Sequence, residues 1–176
     1  MTFSETNYAM EAPEFDKPVK LLIVVSPYYK DIADQLVLGA KAAIEGAGSS
    51  YEVVEVPGAL EVPGAIAIAQ RLSNFDGYVA LGCVIRGETT HYETVCNDSS
   101  RGLTLLGLQG CAIGNGILTV ENRDQAVVRA EADGQNKGGG AAIAALHLIA
   151  LARKWGAPKG GLGFKPSGSD ESYQIA

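Results

Sequence analysis

The sequence is short of the residues that usually announce a metal centre, a disulfide framework or a membrane anchor. Cysteine occurs three times, at Cys83, Cys96 and Cys111, with no C-x-x-C pair. An odd, scattered set of this kind argues against both a disulfide scaffold and a zinc site, and reduced, buried thiols are the expectation. Histidine occurs twice, at His91 and His147, so no metal cluster is expected. No apolar run approaches the roughly 18 residues of a membrane span, and the opening stretch MTFSETNYAMEAPEFDK lacks the basic region and apolar segment of a signal peptide. A cytoplasmic protein without a membrane partner is therefore expected. Basic charge is also in deficit. Lys and Arg number 14 against 20 Asp and Glu, a net charge of −6, which argues against nucleic acid as a partner. The standard phosphate loops, G-x-G-x-x-G after a strand and G-x-x-x-x-G-K-[ST], are absent, as is the nucleophile elbow G-x-S-x-G.

What remains is an ordinary globular composition, 47% hydrophobic and 19% charged over 176 residues, enough for one domain with a sizeable core. Residues 18–156 are expected to form that domain, with 1–17 as a polar N-terminal arm and 157–176, rich in Gly, Pro and Ser, as a flexible C-terminal tail. Within the domain, short β-branched runs at 20–26, 51–56, 77–85 and 111–120 read as strands. The segments 31–48, 62–74, 90–109, 122–133 and 136–155 read as helices. Asn122 and Asn136 stand at N-cap positions, and Pro63 fits a first helical turn. Strands alternating with helices imply an α/β fold: a three-layer α/β/α sandwich around a four-stranded parallel sheet.

Ligands of such sheets gather at the carboxyl ends of the strands, so the segments after 26, 56, 85 and 120 carry the interest. Tyr28 and Tyr29 follow the first strand, and on spacing alone surface packing is their simpler reading. The second strand ends in two Pro-Gly pairs around Glu61, a carboxylate suited either to a helix dipole or to polyol hydroxyls. After the third strand comes R-G-E-T-T-H, residues 86–91. A glycine, two hydroxyls and first-turn amides at a helix start form a competent anion site. Thr89 or Thr90 fits as N-cap, and Glu93 fits a capping box from Thr90. Those assignments leave His91 unexplained. An imidazole there is placed to move protons near neutral pH, although spacing alone favours a structural histidine. His147, in an apolar helix, reads as structural or interfacial.

The segments VPGALEVP, ALGCVIRGETTHYETVCNDSSRGL, GNGILTVEN followed by QA, and NKGGGAA, in that order, resemble those of the lumazine synthases. The resemblance covers about residues 20 to 155, and G-x-V-I-R-G-x-T-x-H-x-x-x-V-x-N is its most specific part. It implies a flavodoxin-like fold. It also implies a transferase that condenses 5-amino-6-(D-ribitylamino)uracil with 3,4-dihydroxy-2-butanone 4-phosphate. Phosphate and water are released in this penultimate step of riboflavin biosynthesis, and no cofactor takes part. By matching position, the resemblance assigns Tyr28 to stacking on the pyrimidine, and Ala59, Leu60 and Glu61 to the ribityl chain. Cys83, Val84 and Ile85 become the wall beside the ring. Gly87, Glu88 and Thr89 become the phosphate turn, Arg129 the phosphate clamp, Lys137 the partner of a pyrimidine carbonyl, and His91 the proton-transfer group. Leu60 and Asn115 stand where many members carry phenylalanine, and Gly140 where an acidic residue is common; Asn115 can still hydrogen-bond ribityl or pyrimidine.

The resemblance further implies ring pentamers with sites between neighbours, in some members assembled into icosahedral shells, with riboflavin synthase as a further partner. The N-terminal arm would add a strand to the neighbouring subunit. Helix 90–109 would line a fivefold channel, with Ser99, Ser100 and Gly102 allowing close approach. Two other readings stand beside the synthase: a weakly active shell-forming or flavin-binding homologue, and, from the fold alone, a sugar-phosphate or nucleotide-binding domain.

Overall fold

A computed structural model describes residues 9–156. The elements run β1 Lys20–Val25, α1 Lys30–Gly46, β2 Ser50–Glu55, α2 Glu61–Leu72, β3 Gly77–Ile85, α3 His91–Leu108, β4 Ile113–Val120, α4 Arg123–Ala130 and α5 Lys137–Gly156. The expected alternation is therefore observed, with boundaries displaced by a few residues. All three pairings are parallel and the strand order is β2-β1-β3-β4. Central strands of such a sheet are covered on both faces, which is why β1 and most of β3 read as unbroken apolar runs.

Side chains alternate between two cores, as the pleat requires. Leu21, Ile23 and Val25 of β1 join Val79 and Leu81 of β3 beneath α1, α4 and α5. Leu22 and Val24 join Tyr78 and Ala80 beneath α2 and α3. The helices α1 and α3 end in Schellman motifs. Ser49 N donates to Ile44 O at 3.1 Å and Cys111 N to Leu106 O at 3.1 Å. Gly48 (φ 65°) and Gly110 (φ 93°) supply the left-handed residue each motif needs. Both expected asparagine caps are formed: Asn122 Oδ1 accepts from Gln125 N at 3.0 Å, and Asn136 Oδ1 from Gly139 N at 3.0 Å.

The capping box at α3 is not formed. Thr90 makes no side-chain cap bond, and Glu93 is held instead by Arg86 Nη1 at 2.5 Å. A guanidinium is a stronger partner for a carboxylate than a neutral amide. Thr89 Oγ1 accepts the His91 N–H at 3.4 Å in place of the box.

The triple glycine of α5 serves packing. A Cβ on Gly138 would collide with the backbone of Leu36 in α1, whereas one on Gly140 would meet open space. Gly138→Ala is therefore expected to lower stability by about 1–3 kcal/mol. Gly140→Ala should be neutral or stabilising by up to about 1 kcal/mol, the helix propensity difference. Urea unfolding of the two variants compares them directly, and equal midpoints would contradict the packing role.

Of the small residues expected to ease approach between subunits, Ser99 is buried within this chain. A Cβ on Gly102 would press on Pro63 of α2, so Gly102 lets α2 and α3 close on each other. Ser100 is exposed and bonds the carbonyls of Cys96 and Asn97.

The described part of the arm lies along α5 of its own chain. His147 Nε2 bonds Glu11 O at 2.8 Å, Arg153 Nη1 donates to Lys17 O at 2.8 Å, and Phe15 lies under the Arg153 guanidinium at 5.5 Å. Residues 9–19 form no strand. The remainder of the arm, 1–8, and the C-terminal tail 157–176 lie outside the described residues.

Candidate functional site

The chain passes from β1 outward to β2, then crosses back to β3 on the other side of β1. This reversal leaves a crevice at the carboxyl ends of β1 and β3, where doubly wound sheets hold ligands. A cleft of about 440 Å³ opens there. β1 delivers Ser26 and the loop Tyr28–Tyr29, and the turn after β2 delivers Gly58, Ala59, Leu60 and Glu61. The end of β3 delivers Cys83, Val84 and Ile85, while the loop into α3 and its first turns add Gly87, Thr89, His91, Tyr92 and Val95.

Tyr28 projects with 73% of its surface exposed. Its ring meets Tyr29 edge-on at 5.1 Å, an arrangement aromatic quadrupoles favour. Tyr29 in turn packs against the core beneath the sheet, so one tyrosine fixes the other. Glu61 begins α2, where its carboxylate suits the helix dipole and folds back over Gly58. Ala59 is buried and Leu60 exposed, so the turn offers one apolar side chain to the opening. His91 is the first residue of α3 and exposed. Its imidazole makes no hydrogen bond among the described residues.

Cys83 forms part of the floor. Burial pushes its thiol up to about 11, against a smaller opposing pull from Arg123. A raised value means the folded state retains the proton that the unfolded chain releases. The stabilisation is therefore present below the unfolded thiol value of about 8.5 and lost as pH climbs through about 11. Melting temperature is expected to fall across that window, and to fall less steeply in Cys83→Ala. An identical slope in the variant would count against the assignment.

The structure divides the residues singled out from sequence into two groups. Asn115, Arg129 and Lys137 do not reach the first cleft. They line a second, of about 450 Å³, between β4, α4 and the start of α5, together with Gly140. Asn115 is exposed on the edge strand, and its Oδ1 accepts from Ile117 N at 3.0 Å. Arg129 donates from Nη1 to Gln125 O at 3.0 Å and makes no ion pair among the described residues. Glu88 is exposed in the loop before α3 and is not part of either cleft wall.

Five residues of the first cleft carry no assignment from sequence: Ser26, Tyr29, Gly58, Tyr92 and Val95. Only Tyr29 and Tyr92 carried a local signal, as aromatic neighbours of Tyr28 and His91. Ser26 is buried because its N–H donates to Leu81 O at 2.9 Å, extending the ladder one residue past β1.

A doubly wound α/β protein with an open cleft at its switch point, walled by aromatic, carboxylate and imidazole groups, belongs to the class that handles small polar molecules there. A family model described as 6,7-dimethyl-8-ribityllumazine synthase matches residues 18–153. The 6,7-dimethyl-8-ribityllumazine synthase of Jannaschia sp. (strain CCS1) is 62% identical over 159 residues, spanning 90% of this chain and 89% of the relative. That of Novosphingobium aromaticivorans is 57% identical over 136 residues, 77% of this chain and 98% of the relative. That of Bartonella henselae is 54% identical over 146 residues, 81% and 94%. The chain belongs to the 6,7-dimethyl-8-ribityllumazine synthase family.

Proposed function

We propose that this enzyme condenses 5-amino-6-(D-ribitylamino)uracil with 3,4-dihydroxy-2-butanone 4-phosphate, releasing phosphate and water, as a transferase of the cytoplasm. The observation that carries the reading is the convergence of two family motifs distant in sequence, the one around Glu61 and the one around His91, on the cleft that also holds Tyr28. Tyr28 supplies a flat face for the pyrimidine. The Ala59–Glu61 turn receives the ribityl hydroxyls. Gly87, Glu88 and Thr89 offer amides and a hydroxyl to the phosphate, where the α3 dipole is positive. His91 relays protons during imine formation, phosphate loss and ring closure. Holding the two reactants together supplies much of the remaining rate.

Arg129, Lys137 and Asn115 act from a neighbouring subunit. The separation of the two clefts within one chain supports this, since neither holds the full set of groups. A head-to-tail ring that places the second cleft of each subunit against the first of the next completes every site, and a pentamer, alone or assembled into a shell, is the ring proposed. Residues 18–156 form the catalytic domain, and the N-terminal arm contributes to the contact between subunits.

The test mixes purified protein with both substrates and follows lumazine absorbance against the spontaneous reaction. Clear acceleration is the expected outcome. Tight binding of a ribityl flavin with no acceleration would instead mark a binding or shell-forming homologue.

A further inference from the structure

Arg86 follows β3 directly and stands outside the wall of the cleft. Its main chain continues the sheet, with the N–H donating to Val120 O at 3.0 Å. Its side chain reaches three partners at once. Nε donates to Glu121 Oε2 at 2.7 Å, Nη1 donates to Glu93 Oε1 at 2.5 Å, and the guanidinium lies 4.2 Å from the centre of the Tyr92 ring. Glu121 stands just past β4, whereas Tyr92 and Glu93 lie in the first turn of α3. One planar fork thus ties the exit of β3 to the end of β4 and to the entry of α3.

The loop Gly87–Thr90 is the segment enclosed by that tie. Few other contacts hold it. All four of its residues are exposed, Thr90 forms no side-chain cap, and its one side-chain bond is the 3.4 Å contact from His91 N to Thr89 Oγ1. The body of α3 is held by its packing on α2 and the sheet, so the tie acts on the first turn, which carries His91, and on the loop before it. The fork also places a positive charge between the Glu93 and Glu121 carboxylates.

We infer that Arg86 is a positioning residue: by binding Glu93, Glu121 and the face of Tyr92 together, it fixes the Gly87–Thr90 loop in the form that receives the substrate phosphate. The inference rests on the reading of the first cleft given above. Half-exposed ion pairs contribute little to global stability, so the effect belongs to the loop and not to folding. This separates a positioning role from a structural one.

The experiment measures both KM values, turnover, inhibition by inorganic phosphate and the melting temperature for wild type, Arg86→Met, Arg86→Lys, Glu93→Gln and Arg86→Met/Glu93→Gln. Arg86→Met is expected to raise the KM of the butanone phosphate and the inhibition constant of inorganic phosphate by about tenfold. The KM of the pyrimidine should stay within about twofold, at a near-native melting temperature. Lysine keeps the charge and not the fork, so Arg86→Lys should recover only part of the loss. Glu93→Gln should show the same selective rise, smaller, and the double variant should be no worse than Arg86→Met, because both remove one tie.

Equal rises in both KM values, full rescue by lysine, or multiplying losses in the double variant would each overturn the inference. Should Arg86→Met fail to fold, Glu93→Gln decides alone, and an unchanged phosphate response there refutes the tie. Failure of the wild type to accelerate the reaction would instead remove the proposed function itself.

Discussion

Alanine in place of His91 is expected to slow lumazine formation by about 10²- to 10⁴-fold at saturating substrates, the usual reach of a positioned general acid–base group. The imidazole is exposed at the start of α3 and carries no hydrogen bond among the described residues. Its loss should therefore leave stability within about 0.5 kcal/mol. Turnover should persist above the spontaneous rate, because the cleft still brings the amine and the ketone together. Steady-state kinetics beside thermal melts test this. A turnover within twofold of wild type would remove His91 from the chemistry. A large drop in melting temperature would move its role to folding.

Arg129→Ala is expected to act on binding. A guanidinium hydrogen-bonded to a phosphate contributes about 1.5–3 kcal/mol, so the KM of the butanone phosphate should rise roughly 10- to 100-fold. The pyrimidine KM should change far less. Arg129 shares the second cleft with Lys137 and Asn115 and spends one donor on its own helix, so its truncation leaves no buried charge behind. Arg129→Lys should restore only part of the affinity, since an ammonium lacks the fork that matches phosphate oxygens. Initial rates over a phosphate-substrate series check the prediction, and unchanged saturation behaviour would refute the clamp.

Local features of the sequence were the most legible. The apolar runs of β1 and β3 and the asparagine caps at 122 and 136 follow rules acting within a few residues, and each is found in the structure. The strand-end rule also led to the Tyr28, Glu61 and His91 segments before any contact among them was known. Features set by tertiary proximity were misread or unseen. Glu93 has the spacing of a capping box, but Arg86, seven residues away, offers a stronger partner. Gly138 lets α5 approach Leu36 of α1, a use nothing in its local sequence signals. Within the chain Ser99 is buried and Gly102 admits Pro63 of α2, contacts that their spacing does not signal. The division of the candidate residues between two clefts does not show in their spacing, although the resemblance implies sites shared between neighbours. Nothing in the spacing of Asn115, Arg129 and Lys137 tells that β4 is an edge strand and places them away from His91.

That division is also the account's most exposed claim, because each proposed site needs one cleft from each of two subunits. Co-assembly of His91→Ala and Arg129→Ala chains tests it directly. Each variant alone lacks one half of every site. In random mixed rings roughly a quarter of the contacts pair an intact first cleft with an intact second cleft. With butanone phosphate near the wild-type KM, where Arg129→Ala sites stay largely unfilled, activity well above that of either variant alone is the expected result, absent when the two are assembled separately and mixed without subunit exchange. A mixed assembly no more active than the average of its parents would contradict the shared site and place the whole reaction within one chain.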